Sequence, residues 1–383
     1  MNIRKLVDNI KPTFEKGGKL GFLHSTFDAF ESFAFVPNTV TKKGSHVRDC
    51  VDLKRIMIVV VVALLPAFCF GVYNIGYQHS LAVGADMGFW QMVWYGFLKI
   101  LPLYLVSYIV GLGIEFISAQ INGHEVNEGY LVSGMIIPLI MPVDVPLWTL
   151  ALAVAFAVII GKEVFGGTGM NIWNPALIAR AFLFFSYPSK MSGDEVWVSV
   201  GKNDALVDGF TGATPLAQAT SGDLGYSFMD MFIGLIPGSV GETSTIAILI
   251  GAVILIWTGV ASWKIMLSGV VGALAVGFLG NAFAAEGSYL ALPAWNHLVM
   301  GGFAFGIVFM ATDPVTSAQT STGKYIVGFM TGAIAILIRE INPAYPEGMM
   351  LSILFMNALA PLVDYFVVQA NIRRRKNRVK IAK

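Results

Sequence analysis

Ten apolar segments, separated mostly by short polar connections, divide the 383-residue chain. An α-helix needs about 20 mostly apolar residues to cross the hydrocarbon core of a bilayer. Only 13% of the residues are charged, about half the share that soluble domains carry. The chain is therefore expected to be an all-α polytopic membrane protein with about ten transmembrane helices. The segments lie at about 55–77, 96–118, 129–142, 146–161, 171–187, 243–261, 264–281, 297–312, 324–339 and 349–370.

Lys and Arg residues are concentrated at the two ends of the chain, with ten in 1–55 and seven in 373–383. Basic flanks of spanning helices stay in the cytoplasm, and an even number of spans puts both termini on the same side. Both termini are therefore predicted to be cytoplasmic. The long connection 188–242 contains only two basic residues, Lys190 and Lys202, and is predicted to face the periplasm. No apolar stretch follows the first basic residues, so no cleavable signal peptide is expected.

The long connection separates two halves of five segments each, and an odd number of spans makes the halves inverted in the membrane. Short segments interrupted by Gly and Pro recur at matching positions in the two halves. Inverted repeats with such breaks place transport sites near the middle of the membrane in many transporters, so an ion or solute pathway is predicted. The expected organisation is an N-terminal extension (1–54), a first repeat (55–187), a periplasmic loop (188–242), a second repeat (243–370) and a basic tail (371–383).

Three carboxylates lie at the predicted cytoplasmic ends of spans: Glu115, Asp313 and Asp364. Ionisable groups in spans are costly and are functional candidates, and carboxylate oxygens suit small hard cations. The alternative is that each carboxylate caps a helix or pairs with an arginine. Phe305 and Phe309 are four residues apart, hence on one helix face. They either pack the helix or form a hydrophobic constriction in an ion path.

The segment "GGTGMNIWNPALIAR" combines glycines with two asparagines three residues apart, Asn171 and Asn174. Side-chain amides can bind the carbonyls and ring nitrogens of a heterocycle, but they can equally cap a helix. Arg180, in the same short span, requires a partner or water. Two cysteines are too few for an iron–sulfur cluster within this chain, and a net charge of +1 gives no sign of nucleic acid as a partner.

The segment "DGFTGAT" in the long loop resembles the D-x-x-[ST]-G-A-T acceptor of periplasmic flavin transferases. The resemblance implies that Thr214 carries FMN through a phosphoester, with Asp208, Thr211, Gly212 and Ala213 as the recognition context. The predicted periplasmic location of the loop, which rests on charge alone, agrees with this. A proline follows the threonine, so Thr214 is expected to be extended.

Almost the whole chain is similar to the B subunits of the Na+-translocating NADH:quinone oxidoreductases, a family of multi-pass proteins of the bacterial inner membrane. The sister family, the D subunits of the Rnf ferredoxin:NAD+ oxidoreductases, ranks second because it usually lacks the extension found at 1–54. The segments that carry the resemblance are "SHVRDCVDLKRIMI", "GHEVNEG", "KEVFGGTGMNIWNPALIARAFLFFSYP", "GETST", "ATDPVTS" and "NALAPLVDYFVVQANI".

The resemblance implies roles for further residues. Asn171 and Asn174 match a non-covalent riboflavin site, and Trp197 matches an aromatic residue beside that flavin. Gly111 and Leu112 align with a glycine pair of the quinone and inhibitor site, where Leu is a departure that puts the pocket's shape in doubt. The neighbouring candidates for that pocket are Glu128 and Gly129.

The resemblance also implies that Glu115, Asp313 and Asp364 take up sodium, and that Phe305 and Phe309 form the constriction. The expected function is that of a membrane component, inactive alone, that relays electrons through FMN and riboflavin to ubiquinone or menaquinone while providing a Na+ path. The implied partners are the other members of a six-subunit complex, the flavin transferase, quinone and membrane lipid. Two alternatives are a flavin-free channel or transporter and a structural anchor without an ion path.

Overall fold

The computed structural model describes residues 53–122, 129–194, 196–201, 206–207, 210–222, 224–285, 288–342 and 347–381, together with 3–14 and isolated positions between 18 and 47. Two predicted site residues, Asp208 and Glu128, lie outside the described residues. The described chain contains helices and no strand. The helices are α1 (Ile3–Phe14), α2 (Leu53–Val83), α3 (Phe89–Asn122), α4 (Tyr130–Leu139), α5 (Leu147–Ile159), α6 (Pro175–Ser186), α7 (Pro215–Ser221), α8 (Phe228–Ile233), α9 (Thr245–Trp257), α10 (Trp263–Phe283), α11 (Asn296–Val299), α12 (Phe303–Phe305), α13 (Ser321–Ile341) and α14 (Met349–Ile381).

Six described helices are long and apolar enough to cross a membrane: α2, α3, α5 with its continuation to Phe165, α10, α13 and α14. Three more apolar helices, α4, α6 and α9, are shorter. The segment predicted at 297–312 is broken into α11, α12 and a π-helical turn, Gly306–Met310. The all-α polytopic class is confirmed. The ten predicted segments all contain helix, but not all of them are helices of spanning length.

Prolines and caps set the ends of the short helices. Two prolines, Pro142 and Pro146, follow α4 and separate it from α5. Asn174 caps the start of α6, where its side chain accepts hydrogen bonds from two backbone N–H groups, and Pro175 occupies the first helical position. Proline fits there because that N–H has no partner within the helix. Local sequence therefore makes α4 and α6 short helices, and the end of α4 at Ile140 and the start of α6 at Asn174 are buried.

Matching helices pack alike in the two halves. In the first half α3 packs against α5, and α5 packs against α6; in the second, α10 packs against α13, and α13 packs against α14. Helices α2 and α9, the first of each half, pack against each other. These contacts favour the predicted repeats, whose boundaries and inversion stay predictions.

Glycines bring α10 and α13 together backbone to backbone. A Cβ on Gly332 would lie 1.9 Å from the carbonyl oxygen of Gly269, and one on Gly272 would lie 2.1 Å from that of Phe329. Gly328 and Gly332 form a G-x-x-x-G pattern on α13, which is typical of close helix packing in membranes. We call this contact the glycine seam.

Large apolar side chains also face outward from the long helices. Ile109 on α3 is 70% exposed and Val253 on α9 is 63% exposed. Exposed apolar surface on this scale is unusual for a soluble monomer. It suits helices whose outer faces contact lipid.

Candidate functional site

Helix α6 runs past three cavities, and several of the predicted site residues lie in their walls. The Asn174 cavity lies at its start and is lined by Asn174 and Pro175. The Arg180 cavity touches its middle, at Leu177 and Arg180. The Thr214 cavity reaches Phe184 near its end. At a rise of about 1.5 Å per residue, the two outer cavities are roughly 14 Å apart along the helix.

The Asn174 cavity brings together predicted residues that are far apart in the sequence. It encloses about 770 Å³ when the open solvent at its mouth is included. Apolar side chains form most of its wall, and a few amides, hydroxyls and charges interrupt them. The predicted site residues in the wall are Gly129, Asn171, Asn174, Phe309 and Asp313.

Asn174 connects the two halves at the floor of this cavity. Its side-chain oxygen accepts from the backbone N–H groups of Ala176 and Leu177, at 3.0 and 3.4 Å. Its amide nitrogen lies 3.4 Å from Asp313 Oδ2, to which it donates. Helix capping, one of the two roles left open for this residue, is therefore present. The amide nitrogen of Asn171 donates to the carbonyl oxygen of Trp173 at 3.0 Å.

Asp313 is held in the loop that follows the π-helical turn. Its carboxylate accepts from the backbone N–H of Val315 at 3.1 Å and from the Thr316 hydroxyl at 3.0 Å. With the amide of Asn174 it has three neutral donors and, among the described residues, no cation within 4.0 Å. Among the described residues, neutral groups alone therefore bond this carboxylate.

Glu115 does not line the cavity directly but is linked to it by a lysine. Its carboxylate pairs with the ammonium group of Lys162, which does line the Asn174 cavity. Both side chains are only 4% exposed. The second carboxylate oxygen of Glu115 is buried and has no hydrogen-bond partner among the described residues.

Asp364 has a different environment. Its oxygens accept from the backbone N–H groups of Gln319 and Thr320, at 2.6 and 3.1 Å, and from the Thr320 hydroxyl at 2.5 Å. These groups precede α13, so Asp364 holds the start of that helix. Of the interpretations given for the three carboxylates, helix capping is the one that matches these hydrogen bonds of Asp364.

The three predicted sodium carboxylates thus have separate sets of partners. Among the residues that the structure describes, no three His, Cys, Asp or Glu side chains form a group that could hold a metal ion. Two of the three, Glu115 through Lys162 and Asp313 directly, are associated with the Asn174 cavity.

Two of the predicted quinone residues, Gly111 and Gly129, adjoin Tyr130 in space or in sequence. A Cβ on Gly111 would lie 1.9 Å from Cζ of Tyr130, so this position needs glycine for the ring to fit. The Tyr130 hydroxyl donates to the carbonyl oxygen of Ser107 at 3.0 Å. Gly129 precedes the tyrosine and lines the Asn174 cavity, whereas Leu112 packs against the apolar core.

Phe305 and Phe309 lie at the π-helical turn between two cavities. Their ring centroids are 4.9 Å apart and both side chains are buried. Phe309 lines the Asn174 cavity, while Gly306 and Met310 of the same turn line the Arg180 cavity. Single π-helical turns within helices are frequent at functional sites. Both side chains pack in the core, and Phe309 also forms part of the wall of the Asn174 cavity.

Thr214 lines the second outer cavity, which encloses about 740 Å³ with its mouth. The residue is half-buried, with φ −67° and ψ 154°, so the predicted extended conformation is confirmed. It caps α7, and its side-chain oxygen accepts from the backbone N–H of Ala217 at 3.3 Å. The hydroxyl proton is not used by that bond.

The residues before Thr214 form a compact turn. The hydroxyl oxygen of Thr211 accepts from the backbone N–H of Ala213 at 3.2 Å. A Cβ on Gly212 would lie 2.3 Å from the carbonyl oxygen of Asp194, so the chain passes too closely there for any side chain. The small residues of the motif thus let the loop fold against the segment around 194.

Trp197 lies in the Thr214 cavity and is absent from the lining of the Asn174 cavity. The resemblance implies instead a position beside Asn171 and Asn174. The structure separates them because the loop at 191–197 follows the end of α6, whereas the two asparagines precede its start.

A cluster of charged side chains that was not predicted from the sequence lies between the two outer cavities. Arg180 donates to the carboxylate of Glu242 at 2.9 Å and to that of Glu347 at 2.5 and 3.2 Å. It also donates to the carbonyl oxygen of Ile140 at 2.6 Å and lies 3.4 Å from the Ser239 hydroxyl. The available signal was Arg180 itself, since an arginine within a span requires partners. Glu242 and Glu347 lie in the loops that precede α9 and α14, and no sequence pattern connects them to Arg180.

Nearly the full length of the chain matches known proteins. A model of the NQR2, RnfD, RnfE family matches residues 40–373. The chain is 46% identical to the B subunit of the Na(+)-translocating NADH-quinone reductase of Pseudomonas aeruginosa, over 98% of this chain and 99% of that protein. It is 46% identical to the B subunit from Chromohalobacter salexigens, over 99% and 97% of the two chains, and 47% identical to that from Ectopseudomonas mendocina, over 98% and 99%. With these matches, the chain belongs to the NQR2, RnfD, RnfE family.

Proposed function

We propose that this chain is the B subunit of a Na+-translocating NADH-quinone reductase, an integral membrane component of an enzyme complex in the bacterial inner membrane. Relatives with that name match 98% of the chain at 46% identity, which includes most of the N-terminal extension. That full-length match favours this function over the Rnf protein, although the family model covers both. Both termini are proposed to be cytoplasmic, so that the Thr214 cavity faces the periplasm.

Thr214 is proposed to carry FMN through a phosphoester formed by a periplasmic flavin transferase. The observation that carries this proposal is a threonine hydroxyl in the wall of a cavity of about 740 Å³, on an extended residue directly before a proline. Trp197 lines the same cavity and offers an aromatic face. When bound, FMN would supply electron-transfer chemistry that the side chains of this cavity lack.

The Asn174 cavity is proposed to hold riboflavin and to adjoin the quinone site. Asn171 and Asn174 place amide groups in a mostly apolar wall, and such walls with a few polar groups are typical of cofactor sites. Gly129 lets the chain pass close to Thr168 in the same wall, since a Cβ there would lie 2.6 Å from Cγ2 of that threonine. Gly111, Leu112 and Glu128 remain assigned to quinone by resemblance alone.

Sodium is proposed to enter at the same cavity, with Glu115 and Asp313 as the attracting carboxylates. Both belong to the end of the molecule that the basic residues place in the cytoplasm. Phe305 and Phe309 are proposed to constrict the path towards the Arg180 cavity, because their turn lies between the two spaces. The partners are the other members of the complex, quinone and lipid.

Flavin fluorescence of the denatured chain on a gel tests the central claim. We expect a fluorescent band from the wild-type chain, produced in cells with an active flavin transferase, and none from Thr214→Ala. Thr220→Ala is the matched control, since Thr220 is an exposed threonine of α7 whose hydroxyl only donates to the carbonyl oxygen of Ala217. It should keep the fluorescence.

A wild-type band without fluorescence under these conditions would contradict the proposal and favour a flavin-free channel or transporter. A separate measurement on the purified complex tests the alternative that the chain is a structural anchor without an ion path. If Glu115→Gln leaves the Na+ dependence of quinone reduction unchanged, the ion path does not use this carboxylate.

A further inference from the structure

The pair formed by Glu115 and Lys162 consists of two buried side chains that are joined by a single contact. Glu115 lies on the buried face of α3, and Lys162 lies in the turn after α5. The ammonium donates to one carboxylate oxygen only. The other oxygen, Oε2, is buried and accepts no hydrogen bond from a described residue.

A buried carboxylate with a free oxygen is unstable unless a positive charge remains close to it. Transferring a charge from water into the protein interior costs several kcal/mol even after relaxation. In its present position Lys162 supplies the positive charge, and Glu163, the other nearby carboxylate, is already bonded to the Ser118 hydroxyl at 2.5 Å. When Glu115 is ionised, one monovalent cation must therefore balance its charge, and here that cation is tethered to the chain.

Lys162 also borders a cavity that contains a second carboxyl group. Lys162 lines the Asn174 cavity, as does Asp313, which lacks a cationic partner among the described residues. Thr168 lines the same cavity, and its buried hydroxyl has no partner in the described part of the chain either. A lysine side chain is long and flexible, so its ammonium can leave Glu115 without a change in the backbone.

We propose that Lys162 is a tethered competitor of sodium: its ammonium occupies the cation position at Glu115, and Na+ binds there only when the ammonium has moved into the Asn174 cavity. This inference rests on the proposed sodium uptake at Glu115 and adds a regulator to it. Two cations cannot share one buried monovalent carboxylate, because their repulsion is strong where the effective dielectric constant is low. Release of the lysine thus controls access of sodium to the site.

Removing the competitor should strengthen sodium binding. In the purified complex, Lys162→Met is expected to lower by roughly fivefold or more both the Na+ concentration for half-maximal quinone reduction and that for half-saturation with ²²Na+. Adding Glu115→Gln to this variant should abolish the gain. Lys162→Arg keeps the charge and should show no tightening. Lys99→Met is the matched control, since Lys99 lies 3.8 Å from a half-exposed carboxylate, that of Asp144, outside all three cavities.

An unshifted Na+ dependence in Lys162→Met would overturn the proposal, as would a gain that persists in the double variant. A wild-type complex that shows no Na+ dependence at all would instead contradict the proposed function. The two failures are therefore distinguishable.

A measurement on the wild-type complex covers the case in which Lys162→Met does not assemble. Reductive methylation of lysines, followed by mass spectrometry, reports how accessible each ammonium is. We expect Lys162 to react faster at saturating Na+ than in choline of equal ionic strength, with Lys99 unaffected. An equal rate for Lys162 in both salts would show that Na+ does not displace it.

Discussion

Two buried charged groups in this molecule have opposite surroundings. The Arg180 cluster joins an arginine of α6 to Glu242, Glu347 and the backbone of Ile140, through hydrogen bonds of 2.5 to 3.2 Å. The Glu115–Lys162 pair has one such contact, a carboxylate oxygen without a partner among the described residues and a cavity beside it. Charges that are bonded from several elements fix the arrangement of those elements, whereas a charge with one bond and adjacent space can exchange its partner.

The largest effect is expected from Arg180→Met. It removes the positive charge that bonds both Glu242 and Glu347, and breaking a buried ion pair by deleting one partner costs about 3–5 kcal/mol. We expect little of the variant to be recovered as assembled complex after extraction in mild detergent, as measured by size-exclusion chromatography. Lys99→Met, at a half-exposed pair, should give wild-type recovery. Equal recovery of the two variants would show that the Arg180 cluster does not stabilise the fold more than the half-exposed pair of Lys99 and Asp144 does.

A smaller effect is expected at the start of the same helix, from Asn174→Ala. The substitution removes the cap of α6 and the bond to Asp313, and loss of a cap costs about 0.5–2 kcal/mol. Thermal denaturation of the purified complex should occur at a lower temperature. Asn174→Asp, which keeps the capping oxygen but faces Asp313 with a like charge, separates the two contributions. If both variants are as stable as the wild type, neither bond stabilises the junction of the two halves.

The smallest effect is expected from Asp364→Asn. An amide oxygen replaces one acceptor of the backbone N–H groups before α13, so we expect a loss of stability of about 1 kcal/mol or less. The Na+ concentration for half-maximal quinone reduction should not change, because the oxygens of Asp364 are already occupied by Gln319 and Thr320. A clear shift in that Na+ concentration would show that Asp364, like Glu115, can exchange its partners.

Features encoded by adjacent residues were predictable from the sequence. The apolar segments located the helices, the prolines marked the breaks at α4 and α6, and Pro215 set the extended conformation of Thr214. Partners that come from distant loops were not predictable. Glu115 and Lys162 are 47 residues apart, and Arg180 and Glu347 are 167 apart, and no period or spacing connects them. The position of Trp197 in the Thr214 cavity was not predictable either, because it depends on how the loop that follows α6 folds back past the end of that helix.

The glycine seam has a consequence for how this membrane protein is made. Helices α10 and α13 touch through backbone atoms at Gly269, Gly272 and Gly332, so their association needs neither a cofactor nor a charged side chain. Helix pairs of this kind form by packing alone within lipid. The second half can therefore contain a stable helix pair before the remaining helices have packed.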